Sequence, residues 1–196
     1  MKAMPTLEGG LRLDMENAVD WLMLEHIVVD ATGDDASTLP ERLGALMDEA
    51  SDWDEVVVPE LQAMFSGQVA VVARMVREAH EQAREAEEDG LAAPATVDGE
   101  EDGDAGEECD GEGGELGDEE ADGEGGTLFI KREDAEAWYG ALNQARLGLE
   151  ARFQFGPSEV VVVEDLAGFS EEKVGGFFRM RFYTRLQGLL LDYAME

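Results

Sequence analysis

The sequence predicts a mainly α fold: about five helices in an orthogonal or irregular bundle, with two or three short strands, interrupted by a disordered acidic linker. Three observations carry that expectation. Apolar residues recur every three or four positions along Val58, Leu61, Phe65, Val69, Val72, Val76 and Ala79, and again along Trp138, Leu142, Ala145, Leu149 and Phe153, the period of one helix face. Hydrophobic residues make up 44% of the chain, enough for a packed core. Between Glu85 and Gly126 stand nineteen acidic residues, many glycines and no Lys or Arg, a composition too poor in apolar surface to offset the entropy of ordering. The expected organisation is one domain in two halves, 1–88 and 127–196, separated by a linker over 89–126.

Element by element, Gly9 to Asp14 alternates as a strand does, and Asp14 is placed to cap a helix running from about Met15 to Asp30. That helix has apolar residues on more than one side: Met15, Ala18, Val19, Leu22 and Val29 on one, Trp21, Leu24 and Val28 on another. Such a helix belongs at the centre of a fold or at an oligomer contact. A second helix is expected from near Thr38 to Ala50, with Pro40 in its first turn. Asp52–Glu55 resembles a capping box, and Pro59 implies a kink or restart in the helix that follows. After the linker, Thr127–Lys131 reads as a strand and Glu133–Phe153 as a helix. Val160–Val163 fits either a strand or a helix. Ser170 caps a last helix, Glu171 to about Tyr193, with Val174, Phe178, Phe182, Leu186, Leu189 and Tyr193 expected inward.

The charge excludes whole classes of partner. With 47 acidic and 14 basic residues the formal charge is −33, so nucleic-acid phosphates and anionic membrane surfaces are repelled. The single cysteine, Cys109, has no partner for an internal disulfide. Met1–Gly10 lacks the apolar stretch of a secretory signal, and the longest apolar stretches, around 21–29 and 69–76, are shorter than the ~18–20 residues of a membrane span. A cytoplasmic location is expected.

No catalytic or metal-binding pattern in the sequence is complete. The two histidines, His26 and His80, lack the Glu three positions earlier that a di-iron bundle requires, because Met23 and Arg77 stand there. A calcium loop starting at Asp98 would put Cys109 where a bidentate Glu is needed. Gly-rich pieces such as Gly111–Gly113 lack the strand and helix that make a phosphate cradle. No nucleophile elbow occurs, and the anionic surroundings of Cys109 disfavour its thiolate. No enzyme, metal or cofactor is expected.

Polar groups on apolar helices make better candidates. Asn143 and Arg146, three apart, flank the Trp138–Leu142–Leu149 stripe; Gln187 sits beside Leu186 on the last helix. These residues predict either a buried polar network, with Glu16 or Glu25 as charge partner, or a docking site in which Arg146 grips a carboxylate. Arg179, Arg181 and Arg185 predict a basic face that suits carboxylates; the acidic linker either folds back onto it or is only a solvated spacer.

Several of these residues also carry a resemblance. Gly10-Leu11-Arg12-Leu13 with Glu16 following, then Trp138-x3-Leu142-Asn143-x2-Arg146-Leu147-x-Leu149, then Tyr183-x2-Leu186-Gln187-x2-Leu190, resemble an uncharacterised bacterial domain-of-unknown-function family, number two-thousand-and-seventeen. The resemblance covers about Gly9–Asp30 and Ile130–Leu191. It departs from the actinobacterial pattern in the long acidic tract and at Thr184. It implies a small protein of unassigned activity whose actinobacterial relatives are often encoded beside the Clp protease adaptor. The expected function is non-enzymatic: protein–protein contacts in a regulatory role linked to proteolysis, with Clp-type components as partners and oligomerisation open. The alternative is a small-ligand binding domain with Arg146 and Asn143 at the polar end of a pocket.

Overall fold

The computed structural model describes residues 1–33, 53–88, 125–155, 166 and 168–195. Among them are four α-helices and one small antiparallel sheet: β1 (Lys2–Pro5), β2 (Gly10–Met15), α1 (Ala18–Thr32), a π-type turn (Trp53–Val57) leading into α2 (Val58–Glu88), β3 (Gly126–Lys131), α3 (Ala135–Phe153) and α4 (Glu171–Tyr193). The helix expected at 38–50, the strand-or-helix question at 160–163 and the tract 89–124 lie outside the described residues.

The sheet order is β1-β2-β3. Alternation in β2 sends Leu11, Leu13 and Met15 into the core and leaves Arg12 outside, and the opposed Leu128 and Ile130 of β3 complete one apolar face. Sheet pairing thus joins residues from either side of the acidic tract, Leu13 against Leu128 and Leu11 against Ile130. The β1–β2 turn needs Gly9 in the left-handed region at φ +76. At Gly10 a Cβ would lie 2.5 Å from the Ile130 carbonyl oxygen, so only glycine lets β3 pair there.

Three local expectations change. The strand alternation continues through Met15, so α1 starts at Ala18 and its cap is Asn17, whose side chain accepts from the Val19 and Asp20 amides; Asp14 is a strand residue bonded by Arg12 and Thr127. On α1 the inward residues are Trp21, Leu24 and Ile27, while Val19, Leu22 and Val29 are exposed. On α4 the buried stripe is Phe177, Met180, Tyr183, Leu186, Gln187 and Leu190, and Phe178 and Tyr193 face outward. That helix has two interleaved apolar stripes. The one that packs is the one that places Gly176 under the Phe153 ring and Tyr183 beside Asp30.

The other elements follow their sequence. Ser170 accepts from the Lys173 amide and caps α4. Trp138, Leu142, Ala145 and Leu149 of α3 are buried, and the Trp138 indole N–H lies 3.3 Å from the Met75 sulfur of α2. From α2, Val69, Val72, Val76 and Ala83 join the same core. Helix α3 touches each of the other three helices and is the centre of the bundle.

Candidate functional site

The predicted residues fall into three separate constellations. The first contains Arg146 and Gln187. Arg146 Nη1 donates to Gln187 Oε1 at 2.7 Å, and Gln187 Nε2 donates to the Tyr139 carbonyl at 3.2 Å, so the pair ties α3 to α4. Gln187 is buried and Arg146 half-buried, with its Nε enclosed and unbonded. Asn143 is exposed and takes no part; its neighbour Gln144 is the buried amide, donating to Gln68 Oε1 at 3.0 Å and to the Phe65 carbonyl. The predicted charge partners of Arg146 are engaged elsewhere: Glu25 holds His80 at 2.9 Å, and Glu16 holds the Met1 amine and Lys2. Arg146→Ala is expected to cost roughly 1–3 kcal/mol in urea denaturation, because Gln187 loses its donor in a buried place. A loss below about 0.3 kcal/mol would show that Gln187 finds water there instead.

Glu16 anchors the second constellation, where β1 meets α1. The amine also contacts Asp20 at 2.7 Å. Burial alone would lower the amine's pKa, but its hydrogen bonds to Asp20 and Glu16 outweigh that and raise it. The hydrogen bond from Lys2, then that from the amine, holds the Glu16 carboxyl down at about 2. A depressed carboxyl stabilises the fold above its ordinary value of 4.5 and loses that contribution as pH falls from there through about 2. Carboxyl carbon NMR is expected to show Glu16 titrating near 2, and Lys2→Ala to move it back toward 4.5. A wild-type midpoint at 4.5 would show that these contacts do not persist in solution.

The third constellation joins Asp30, Arg179 and Tyr183. Arg179, predicted to lie on an exposed basic face, turns inward to Asp30 of α1. Its Nε and Nη2 donate to the two carboxylate oxygens at 2.7 and 3.2 Å, and the Tyr183 hydroxyl donates to Oδ2 at 2.8 Å. Asp30 is only 6% exposed. Burial first, then the adjacent carboxylate, keep the Tyr183 hydroxyl protonated far above its ordinary range. Beneath the cluster α3 passes so near α1 that a Cβ on Gly148 would overlap the Asp30 carbonyl oxygen. Of the predicted basic face Arg181 and Arg185 remain exposed, Arg181 with its guanidinium over the Phe177 ring at 5.7 Å. The signal for this cluster was Arg179 and Tyr183 four apart on one helix with an Asp closing another, a pattern without meaning until the two helices are known to meet.

Residues 71–194 match the model of the family described as Domain of unknown function (DUF2017). The chain belongs to that family. The DUF2017 match takes in the Trp138–Leu149 and Tyr183–Leu190 segments, and so Gly148, Arg179, Tyr183 and both partners of the Arg146–Gln187 bond. It excludes β1, β2 and α1, which supply Asp30. No curated protein and no solved structure matches the chain.

One surface remains. The helical stretch Glu55–Glu88 is long and apolar enough to cross a membrane by length and composition, although no single apolar run in the sequence is. Its later turns pack in the core through Val69, Val72 and Val76. The most apolar eighteen-residue window has only 17% of its residues buried. Val56 is 55% exposed and Met64 48%, and Leu61 and Phe65 are half-exposed. No group of three or more His, Cys, Asp and Glu suited to a metal ion occurs among the described residues.

Proposed function

We propose that this DUF2017 protein acts through protein–protein contacts in a regulatory role linked to proteolysis, and that the π-type turn with the first turns of α2 is its contact surface. The observation that supports the reading is the apolar, largely unburied start of that helix. Large apolar side chains left in water at one end of a helix are costly, and such surface marks interaction sites. A partner with a complementary apolar patch would cover Val56, Leu61, Met64 and Phe65. The polar clusters described above tie helix to helix, which suits a rigid platform better than a reaction centre. The tie to proteolysis is carried by the family resemblance and names Clp-type components as the partners to look for.

The test is capture from native lysate with tagged wild-type chain and a Val56→Lys/Met64→Lys double variant. Both positions are exposed, so the melting temperature is expected to stay within a few degrees of wild type. The wild type is expected to retain a defined protein that the variant loses, and identification of that protein decides the proteolysis arm. Equal capture by both chains would overturn the assignment of the surface.

A further inference from the structure

On another part of the molecule a cleft of about 680 Å3 opens between β1, α1 and α4. Its apolar wall is made by Met4, Met23, Phe182, Leu186 and Leu189. The volume lies within the range of small-molecule sites, and thioether side chains adapt their shape to a flexible apolar guest. Neither Asn143 nor Arg146 lines it.

The charges around the cleft run against those of the chain. The whole protein carries −33, yet the lining contributes the Met1 amine, Lys2 and Arg185 against one carboxylate, Asp20. Asp20 is already occupied, 2.7 Å from the Met1 amine and accepting the Glu16 amide at 2.8 Å. Lys2 is taken by Glu16 at 2.9 Å. Among the described residues Arg185 has no hydrogen bond and no ion pair, although the chain is rich in carboxylates. A free guanidinium fork at the mouth of an apolar cleft is complementary to a carboxylate carried on an apolar chain. One unpaired cation within a strongly negative field favours a monoanion over a doubly charged phosphate ester.

We propose that this cleft binds a medium-chain aliphatic carboxylate, the tail against Met4, Met23 and Phe182 and the head on Arg185. The cleft and the α2 surface are formed by different residues, so this site stands or falls apart from the docking role.

The experiment is a titration of the full chain, methyl-labelled at methionine, with sodium decanoate kept below its micelle concentration. The Met4 and Met23 methyl signals are expected to shift saturably, while those of Met64 and Met75 stay in place. Arg185→Gln is expected to weaken binding roughly ten- to a hundredfold, the effect of removing a hydrogen bond to a charged group. Arg181→Gln, an exposed arginine one helical turn away, is expected to leave the affinity within about twofold. 1-Decanol should bind the wild type as weakly as decanoate binds Arg185→Gln, and should be indifferent to that substitution. Absence of saturable shifts at Met4 and Met23, equal binding of decanol and decanoate, or equal losses from Arg181→Gln and Arg185→Gln would each overturn the proposal.

Discussion

Asp30→Asn is expected to lower the unfolding free energy by roughly 3–5 kcal/mol, the largest effect of any single polar substitution in this chain. The carboxylate is nearly inaccessible and takes three hydrogen bonds: two from Arg179, whose side chain is 16% exposed, and one from Tyr183. An amide cannot accept all three, and it leaves the guanidinium charge without a counter-charge in a poorly solvated place. The pair itself need not be strongly stabilising, because both charges were desolvated to form it. Replacing both partners, as in Asp30→Leu/Arg179→Met, is therefore expected to cost less than Asp30→Asn alone. Tyr183→Phe removes one bond and should cost about 1 kcal/mol. Added salt should rescue little, since screening acts weakly on a buried pair. A loss below about 1 kcal/mol for Asp30→Asn in urea denaturation would mean that water enters the cluster.

Gly148→Ala is expected to destabilise by roughly 3 kcal/mol, the upper end of the usual cost of overpacking. The sign is informative, because in an open helix the same change gains up to about 1 kcal/mol in helix propensity. Here the added methyl meets the Asp30 backbone carbonyl, which cannot swing aside as a side chain can. Helices α1 and α3 must separate, and the Asp30–Arg179 geometry is lost with them. The two substitutions share a partner, so their costs are not expected to add. Gly188 on α4 supplies the control: nothing lies within 4 Å of its would-be Cβ, and Gly188→Ala should stabilise by about 0.5–1 kcal/mol. If Gly148→Ala behaved like Gly188→Ala, the close crossing of α1 and α3 would be wrong.

What was legible in the sequence follows from the range of the forces involved. The β2 alternation and the α3 stripe each have one apolar face, so period alone orients them. The α1 boundary was misplaced because Asp14 and Asn17 are both good caps, and only continuation of the alternation through Met15 decides between them. In α4 two apolar stripes compete, and the choice was made by contacts with Phe153 and Asp30, distant in sequence. Gly148 lies inside the very segment that carries the family resemblance, yet a residue without a side chain adds nothing to a hydrophobic period. Arg179 and Asp30 are 149 positions apart, so the sequence shows Arg179 only as part of a basic face and Asp30 only as the end of a helix. The start of α2 shows the converse limit. Val58, Leu61 and Phe65 read as one core stripe, yet only Val58 is buried and Leu61 and Phe65 stay half-exposed, because apolar pattern does not say how far a face is covered.

The docking role proposed for the start of α2 is tested most directly by site-specific photo-crosslinking in the native cell. A crosslinking residue replaces Met64 in one chain and Arg12, exposed on the sheet, in another. A discrete adduct with one partner protein is expected from position 64 and none from position 12. Adducts of equal pattern from both positions, or from position 12 alone, would contradict the docking role.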